Sequence, residues 1–171
     1  VFWVILALAA ASFLAMEGAR RSGAVSASAL FFLAPFRAWE LLAGAGAAVI
    51  AHRRPVPGRD ALALAGLGLI AVSIFLFDET TPFPGPATLI PVLGTALVLL
   101  FARTGTLTAR VLSLRGPVFI GLISYSAYLW HQPLFAFARI KTLGTPGLPL
   151  MLTLAAAALV LAALSWRYVE R

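Results

Sequence analysis

LPLMLTLAAAALVLAALSW, residues 148–166, is the stretch that decides the fold. It carries no charge and is built mainly from alanine and leucine. A helix that crosses the hydrocarbon core of a bilayer needs about 20 predominantly apolar residues. The run therefore predicts a transmembrane helix, since it is too long and too rich in these residues for a strand.

Similar runs recur along the chain, of whose 171 residues 61% are hydrophobic and only 11% are charged. A soluble domain is nearer half apolar and a quarter charged, and the alternating pattern of a membrane β-barrel is absent. We predict an all-α, polytopic transmembrane helical bundle that forms a single domain. Its six predicted spans are about 1–16, 34–51, 61–77, 86–102, 117–138 and 148–166.

The charge pattern fits a membrane protein and argues against a protein that binds nucleic acid. A net charge of +7 would suggest nucleic acid as a partner of a soluble chain. Here the basic residues fall in short loops between apolar runs, where positive charge orients helices in the membrane. We therefore predict the lipid bilayer, and not nucleic acid, as the partner. With no cysteine, the chain has neither a disulfide framework nor a thiolate metal site.

Counting basic residues loop by loop predicts the orientation. The less basic side carries the basic residues Arg20, Arg21, Arg139 and Lys141. The same side also carries the acids Glu17, Asp78 and Glu79. The more basic side is expected to be cytoplasmic, which places both ends of this chain in the cytoplasm. The basic residues of this cytoplasmic side are Arg53, Arg54, Arg59, Arg103, Arg110, Arg115, Arg167 and Arg171.

Two polar clusters interrupt the apolar pattern, the first in APFRAWELLAGAGAA, residues 34–48. Arg37 and Glu40 are three residues apart, which brings them together on one helix face. Each charge, if deep, costs about 2.5–3.5 kcal/mol on insertion scales, so pairing or a wet cavity is expected. An interfacial arginine held by its glutamate is the alternative interpretation.

The second cluster is ISYSAYLWHQPLF, residues 123–135. On a helix Ser124, Tyr128 and His131 share one face, and Tyr125 and Gln132 share an adjacent one. Pro133 cannot donate to the carbonyl of Leu129, so a bend or opening beside His131 is expected. A lone histidine is more often a structural residue, but a histidine beside a proline above a hydroxyl-bearing face favours function.

Helix rise relates the depths of the two clusters. His131 is predicted to lie about 21 Å along its helix and Glu40 about 9 Å along another that enters from the opposite side. In a hydrocarbon core of about 30 Å both fall in the outer third. We therefore expect Arg37, Glu40 and His131 to line one extracytoplasmic pocket, provided that the two helices are neighbours.

Other chemistry has weaker support. His52 lies in the basic loop AHRRPVPGRD and is expected to be solvated. Two histidines without a carboxylate at ligand spacing argue against a metal site. Ser124 and Ser126 stand in no nucleophile elbow and have no acid at a recognisable spacing, so we predict no catalytic triad.

Four stretches resemble the acyltransferase-3 family of integral membrane acyltransferases, which O-acetylate lipopolysaccharide, peptidoglycan and other bacterial glycans. In chain order they are APFRAWELLAGAGAAV, FPGPATLIPVLGTALVLLF, PVFIGLISYSAYLWHQPLF and SWRYVER. The resemblance runs from about residue 30 onward and implies that the chain is similar to the last six helices of a longer protein. The catalytic histidine and arginine of the family's first helices have no counterpart here.

The resemblance implies a bacterial inner-membrane enzyme that transfers an acetyl group from acetyl-CoA, used as a substrate, to a hydroxyl of a surface glycan. It implies no bound cofactor and no metal, and it requires the missing N-terminal helices. Catalytic roles fall to His131, Glu40 and Arg37. The predicted substrate-binding residues are Trp39, Ser124, Tyr125, Tyr128, Trp130 and Gln132.

Two other interpretations stay open at the level of the sequence. A kinked helix and intramembrane charges also occur in transporters and flippases of polar or lipid-linked substrates. No inverted repeat or pair of broken helices supports that class here. The chain could also be a structural fragment that is inactive alone.

Overall fold

The computed structural model describes residues 1–78, 81, 84–142 and 147–170, and the regular structure in these ranges is helical. A helix lies at every predicted span, which confirms the all-α class. Glu79 and Arg171, which entered the charge count, lie outside the described residues. The helices are α1 (Phe2–Ser22), α2 (Ala27–Phe32), α3 (Ala34–Arg53), α4 (Asp60–Leu76), α5 (Leu89–Phe101), α6 (Leu107–Leu112), α7 (Arg115–Thr142) and α8 (Leu148–Ser165).

Length and exposure identify a helical membrane protein. Within the described ranges, Phe2–Ser22, Ala27–Arg53 and Leu148–Glu170 are long and apolar enough to cross a membrane. Asp60–Leu76 and Pro86–Phe101 are apolar but shorter. Large apolar side chains cover the surface: Leu41, Phe75 and Val169 are 80%, 83% and 81% exposed. Such a surface requires an apolar environment, whereas the count of six spans stays a prediction.

The chain divides into two compact units, Val1–Arg110 and Val111–Arg171. In the first, α1 and α3 are antiparallel, with Ile5 near Gly46 and Phe13 against Trp39. α4 and α5 form a second antiparallel pair, in which the Arg59 N–H donates to the Phe101 carbonyl at 3.2 Å. α5 also packs on α3.

The α4–α5 pair is held at its closest point by two glycines. A Cβ added to Gly66 would lie 2.6 Å from the carbonyl oxygen of Gly94, and one added to Gly94 would lie 2.7 Å from that of Gly66. The two backbones therefore touch. Small residues at membrane helix interfaces permit this approach, which gains van der Waals contact where lipid supplies no hydrophobic drive.

The α1–α3 pair is joined by a buried hydroxyl. Ser12 Oγ donates to the Pro35 carbonyl at 2.5 Å and accepts the backbone N–H of Trp39 at 3.1 Å. Those two groups are four residues apart, the spacing of a helical hydrogen bond. Ser12 therefore ties α1 to the first turns of α3 and fixes the position of the polar residues there.

Asp60, which precedes the third predicted span at 61–77, joins the starts of α4 and α6 at one end of the first unit. Its carboxylate accepts the backbone N–H groups of Thr108 and Leu107 at 2.9 and 3.0 Å and the Thr108 hydroxyl at 3.0 Å. These donors, that of Thr108 first, hold the pKa of the Asp60 carboxyl below its ordinary value. Around it, the same end of the unit carries Arg53, Arg54, Arg59, Arg103 and Arg110.

The second unit consists chiefly of α7 and α8, and a π-helical segment, Trp166–Glu170, continues α8. Ile123 and Ser126 of α7 are buried, as are Ala158 and Ala162 of α8. Small side chains on α8 thus allow the polar helix α7 to pack closely against it.

Candidate functional site

Arg37 and Glu40 form an ion pair in the first turns of α3. Arg37 Nη2 lies 2.9 Å from Glu40 Oε2, and Arg37 Nε donates to Oε1 at 3.3 Å. The side chains are 35% and 17% exposed, and the guanidinium also lies 4.9 Å from the ring centroid of Phe31. Pro35 lies in the first turn of α3, where proline is favoured. The pair offsets the unfavourable position of a cation near a helix N-terminus.

Glu40 opens onto a cavity of about 310 Å³ between α3 and α5. Thr88 and Thr95 add hydroxyl groups to its wall, and apolar residues such as Leu99 form much of the remainder. The Thr95 hydroxyl donates to the Pro91 carbonyl at 2.8 Å, and Thr88 Oγ1 accepts the Gly85 N–H at 3.3 Å. A carboxylate beside two hydroxyls can accept hydrogen bonds from a hydroxyl-bearing ligand.

Trp39 points away from this cavity. It is only 4% exposed and packs edge-on against Phe13, with ring centroids 5.1 Å apart. Its indole N–H is buried and has no hydrogen-bond partner in the described part of the chain. This environment favours a packing role between α1 and α3 over the predicted contact with substrate.

On α7, Tyr128 and His131 lie together as the helical spacing predicts. Their ring centroids are 5.5 Å apart, and the ring of Phe135 continues the row at 6.0 Å from His131. Within its unit His131 is half-buried, whereas Tyr125 and Tyr128 are 64% and 62% exposed. The two tyrosine rings are therefore accessible on the surface of α7, and the imidazole of His131 lies next to the ring of Tyr128.

The hydrogen bond of His131 orients its imidazole. His131 Nδ1 lies 3.2 Å from the Ala127 carbonyl oxygen. Because a carbonyl oxygen only accepts, this contact is a hydrogen bond in the tautomer that carries its proton on Nδ1. In that tautomer Nε2 has a lone pair and can receive a proton.

Other residues predicted on α7 have different surroundings. Ser124 Oγ donates to the Gly121 carbonyl at 2.7 Å, and Gln132 is exposed. Trp130 donates its indole N–H to Ser165 Oγ at 2.8 Å and keeps 38% of its surface exposed. α7 continues as a helix through Pro133, so the helix is not opened beside His131, and the alternative of a bend there stays a prediction.

A polar pair that the sequence analysis missed lies on another face of α7. The Ser126 hydroxyl, 2% exposed, donates to the carboxylate of Glu170. Both residues line a cavity of about 340 Å³ together with Trp130 and Ser165. Ser126 therefore has an acid partner, Glu170, which is 44 residues away in the sequence. The sequence feature that could have indicated this pair is an acidic residue just after an apolar helix.

The predicted three-residue pocket spans both units. Arg37 and Glu40 belong to the first unit and His131 to the second, so their meeting stays a prediction. In the ranges that the structure describes, no three His, Cys, Asp or Glu residues are grouped as metal ligands would be.

Comparison with known proteins gives one relevant similarity. The chain is 24% identical over 155 residues to the peptidoglycan O-acetyltransferase OatA of Listeria monocytogenes. The match covers 84% of this chain and 25% of that protein, so the chain spans about a quarter of its length. No family model matches, and no solved structure matches significantly. The similarity supports a distant relationship to an O-acetyltransferase.

Proposed function

We propose that this chain is the C-terminal portion of an acyltransferase-3-type membrane O-acyltransferase that moves an acetyl group from acetyl-CoA to a glycan hydroxyl. The observation that carries the proposal is similarity to a peptidoglycan O-acetyltransferase over 84% of the chain, in an all-helical membrane fold. Because the similar protein is a peptidoglycan O-acetyltransferase, we propose peptidoglycan as the acceptor. No similarity of this kind supports lipopolysaccharide as the acceptor.

The proposed chemistry is acyl transfer with His131 as a general base. Nε2 takes the proton of the acceptor hydroxyl while that oxygen attacks the thioester carbonyl. The C–S bond then breaks, coenzyme A leaves as a thiolate, and the proton on Nε2 can pass to it. The hydrogen bond from Nδ1 to the Ala127 carbonyl supports this role, because it orients the ring and stabilises the imidazolium that forms.

The neighbouring groups are proposed to hold the glycan. Exposed tyrosine rings suit the apolar faces of sugars, which favours Tyr125 and Tyr128 as stacking residues. Ser124 and Gln132 lie on the same side of α7 as these rings. Trp130 lines the cavity beside Ser126 and is proposed as a separate contact to the glycan. Glu40, aligned by Arg37, is proposed to accept hydrogen bonds from sugar hydroxyls at the α3–α5 cavity.

The decisive experiment measures base-labile acetate on the peptidoglycan of cells that carry the complete gene. We compare wild type, His131→Gln and His52→Gln; His52 is the other histidine of the chain and is exposed at the end of α3. Loss of a general base lowers transfer by about 100-fold or more, so His131→Gln should lose almost all ester-linked acetate. His52→Gln should retain it.

Two results would contradict the proposal at different levels. Near-normal acetate in His131→Gln, with equal membrane abundance, would remove His131 from the mechanism. Unchanged envelope acetate after deletion of the whole gene would remove the enzyme assignment itself.

A further inference from the structure

The basic end of the first unit contains a cavity that the proposed reaction does not use. It measures about 440 Å³ and lies between the start of α1 and the end of α3. Mainly apolar side chains, Val1 among them, line it together with two guanidinium groups. The lining residues that matter here are Phe2, Trp3, Val49, Ile50, Arg53 and Arg54.

Arg53 and Arg54 have no carboxylate partner among the described residues. The acids of this unit that the structure describes have partners elsewhere. Their partners are Arg20 and Arg21 for Glu17, Arg37 for Glu40, Leu107 and Thr108 for Asp60, and Thr81 for Asp78. Two adjacent guanidinium groups beside a cavity are suited to a phosphate, which they can bind through several donors.

The cavity continues into an apolar groove. Phe2 and Ile50 line both the basic cavity and a groove of about 400 Å³ between α1, α3 and α5. The groove follows α3 from Ile50 back to Trp39, about 16 Å at the rise of an α-helix. Its lining residues are all apolar or small, so it can accommodate a hydrocarbon chain along much of its length.

We propose that this cavity and groove bind one anionic phospholipid. Arg53 and Arg54 hold the headgroup phosphate, and one acyl chain lies in the groove between α1, α3 and α5. Complementary charge supports a lipid occupant, because basic pockets between membrane helices bind anionic headgroups. The proposal is independent of the acyl-transfer reaction.

The test reconstitutes the complete protein that contains this chain in phosphatidylcholine, with a trace of phosphatidylglycerol that is spin-labelled on its acyl chain. Electron paramagnetic resonance measures the immobilised fraction, from which relative affinity follows. Arg53→Gln/Arg54→Gln should lower affinity for phosphatidylglycerol by about tenfold or more. Arg59→Gln/Arg110→Gln removes the same charge from the same end without lining the cavity, and should retain most of the affinity.

A second pair of variants tests the groove without altering charge. A Cβ at Gly46 would have Ile5 Cγ2 as its nearest neighbour, at 4.0 Å, so Gly46→Leu fills groove space without a clash at Cβ. It should lower the immobilised fraction, whereas Gly68→Leu on α4, where a Cβ has no neighbour within 4 Å, should not.

Three outcomes would overturn the proposal. Equal losses in both arginine double variants would mean a diffuse surface charge. Equal retention of phosphatidylcholine and phosphatidylglycerol would mean ordinary lipid contact. Displacement of the labelled lipid by free coenzyme A as readily as by unlabelled phosphatidylglycerol would mean a soluble phosphate ligand.

Discussion

Asp60 shows how one carboxylate joins the starts of two helices, α4 and α6, that are far apart in the sequence. Its partners Leu107 and Thr108 lie 47 and 48 residues away. Because the donors stabilise the charged form, the pKa of Asp60 is lowered. Stability from this contact is therefore complete above the ordinary aspartate pKa of about 3.9 and is lost as the pH falls through the lowered value.

Asp60→Asn should remove that acid-dependent part of the stability. Thermal unfolding in detergent, measured from about pH 2 to pH 6, should show a smaller fall at low pH in the variant than in wild type. Thr108→Val keeps both backbone donors and should have a weaker effect. Identical acid profiles for wild type and Asp60→Asn would contradict the assignment.

Two tryptophans with the same predicted role have different environments in the structure. Trp39 and Trp130 were both predicted to contact substrate. Trp39 is 4% exposed against Phe13, whereas Trp130 keeps 38% of its surface exposed with its N–H on Ser165. Trp130 can still offer a ring face to a ligand, and Trp39 chiefly fixes α3 against α1.

At the scale of helices, α7 has two polar faces with different neighbours. Tyr128 and His131 lie on one, and Ser126 lies on another with Glu170. Five residues of helix separate Ser126 from His131, about 140° around the axis. A direct contact between Ser126 and His131 is therefore geometrically excluded, although both residues stand in the same motif.

The α4–α5 contact makes a prediction about glycine. Gly66→Ala places a methyl group where the Gly94 carbonyl now lies, so the helices must separate. Such overpacking typically costs about 1–3 kcal/mol. Unfolding in mixed detergent micelles should show this loss for Gly66→Ala and none for Gly68→Ala, whose Cβ has no neighbour within 4 Å. Equal stability of the two variants would contradict close backbone packing.

At the scale of the whole molecule, charge is distributed unevenly between the two ends of the first unit. One end carries Arg53, Arg54, Arg59, Arg103 and Arg110 around the single acid Asp60. At the other end, Arg20 and Arg21 are paired with Glu17, and Arg37 is paired with Glu40. This asymmetry favours a cytoplasmic location for the first end.

Single cysteines can test that orientation, since the chain has none of its own. Ser22→Cys lies at the end of α1 and Thr104→Cys in the loop after α5, and both positions are exposed. A membrane-impermeant maleimide should label Ser22→Cys in intact cells and Thr104→Cys only after permeabilisation. The reverse pattern would contradict the predicted orientation.

The sequence by itself determined the longer helices and the local pairs, whereas the short helices α2 and α6 lie outside the predicted spans. Apolar length predicts a helix wherever it occurs, as in Leu148–Ser165, because a chain in lipid must satisfy its own backbone hydrogen bonds. The Arg37–Glu40 and Tyr128–His131 contacts were likewise predictable, since residues three apart on a helix are neighbours.

Only the tertiary structure decided which helix faces meet. Ser12 on Trp39, Gly66 against Gly94 and Ser126 on Glu170 join residues that are distant in the sequence. In lipid an apolar face gains no hydrophobic free energy by choosing one neighbour over another. The choice depends on close packing and buried hydrogen bonds, which no pattern along a single helix displays.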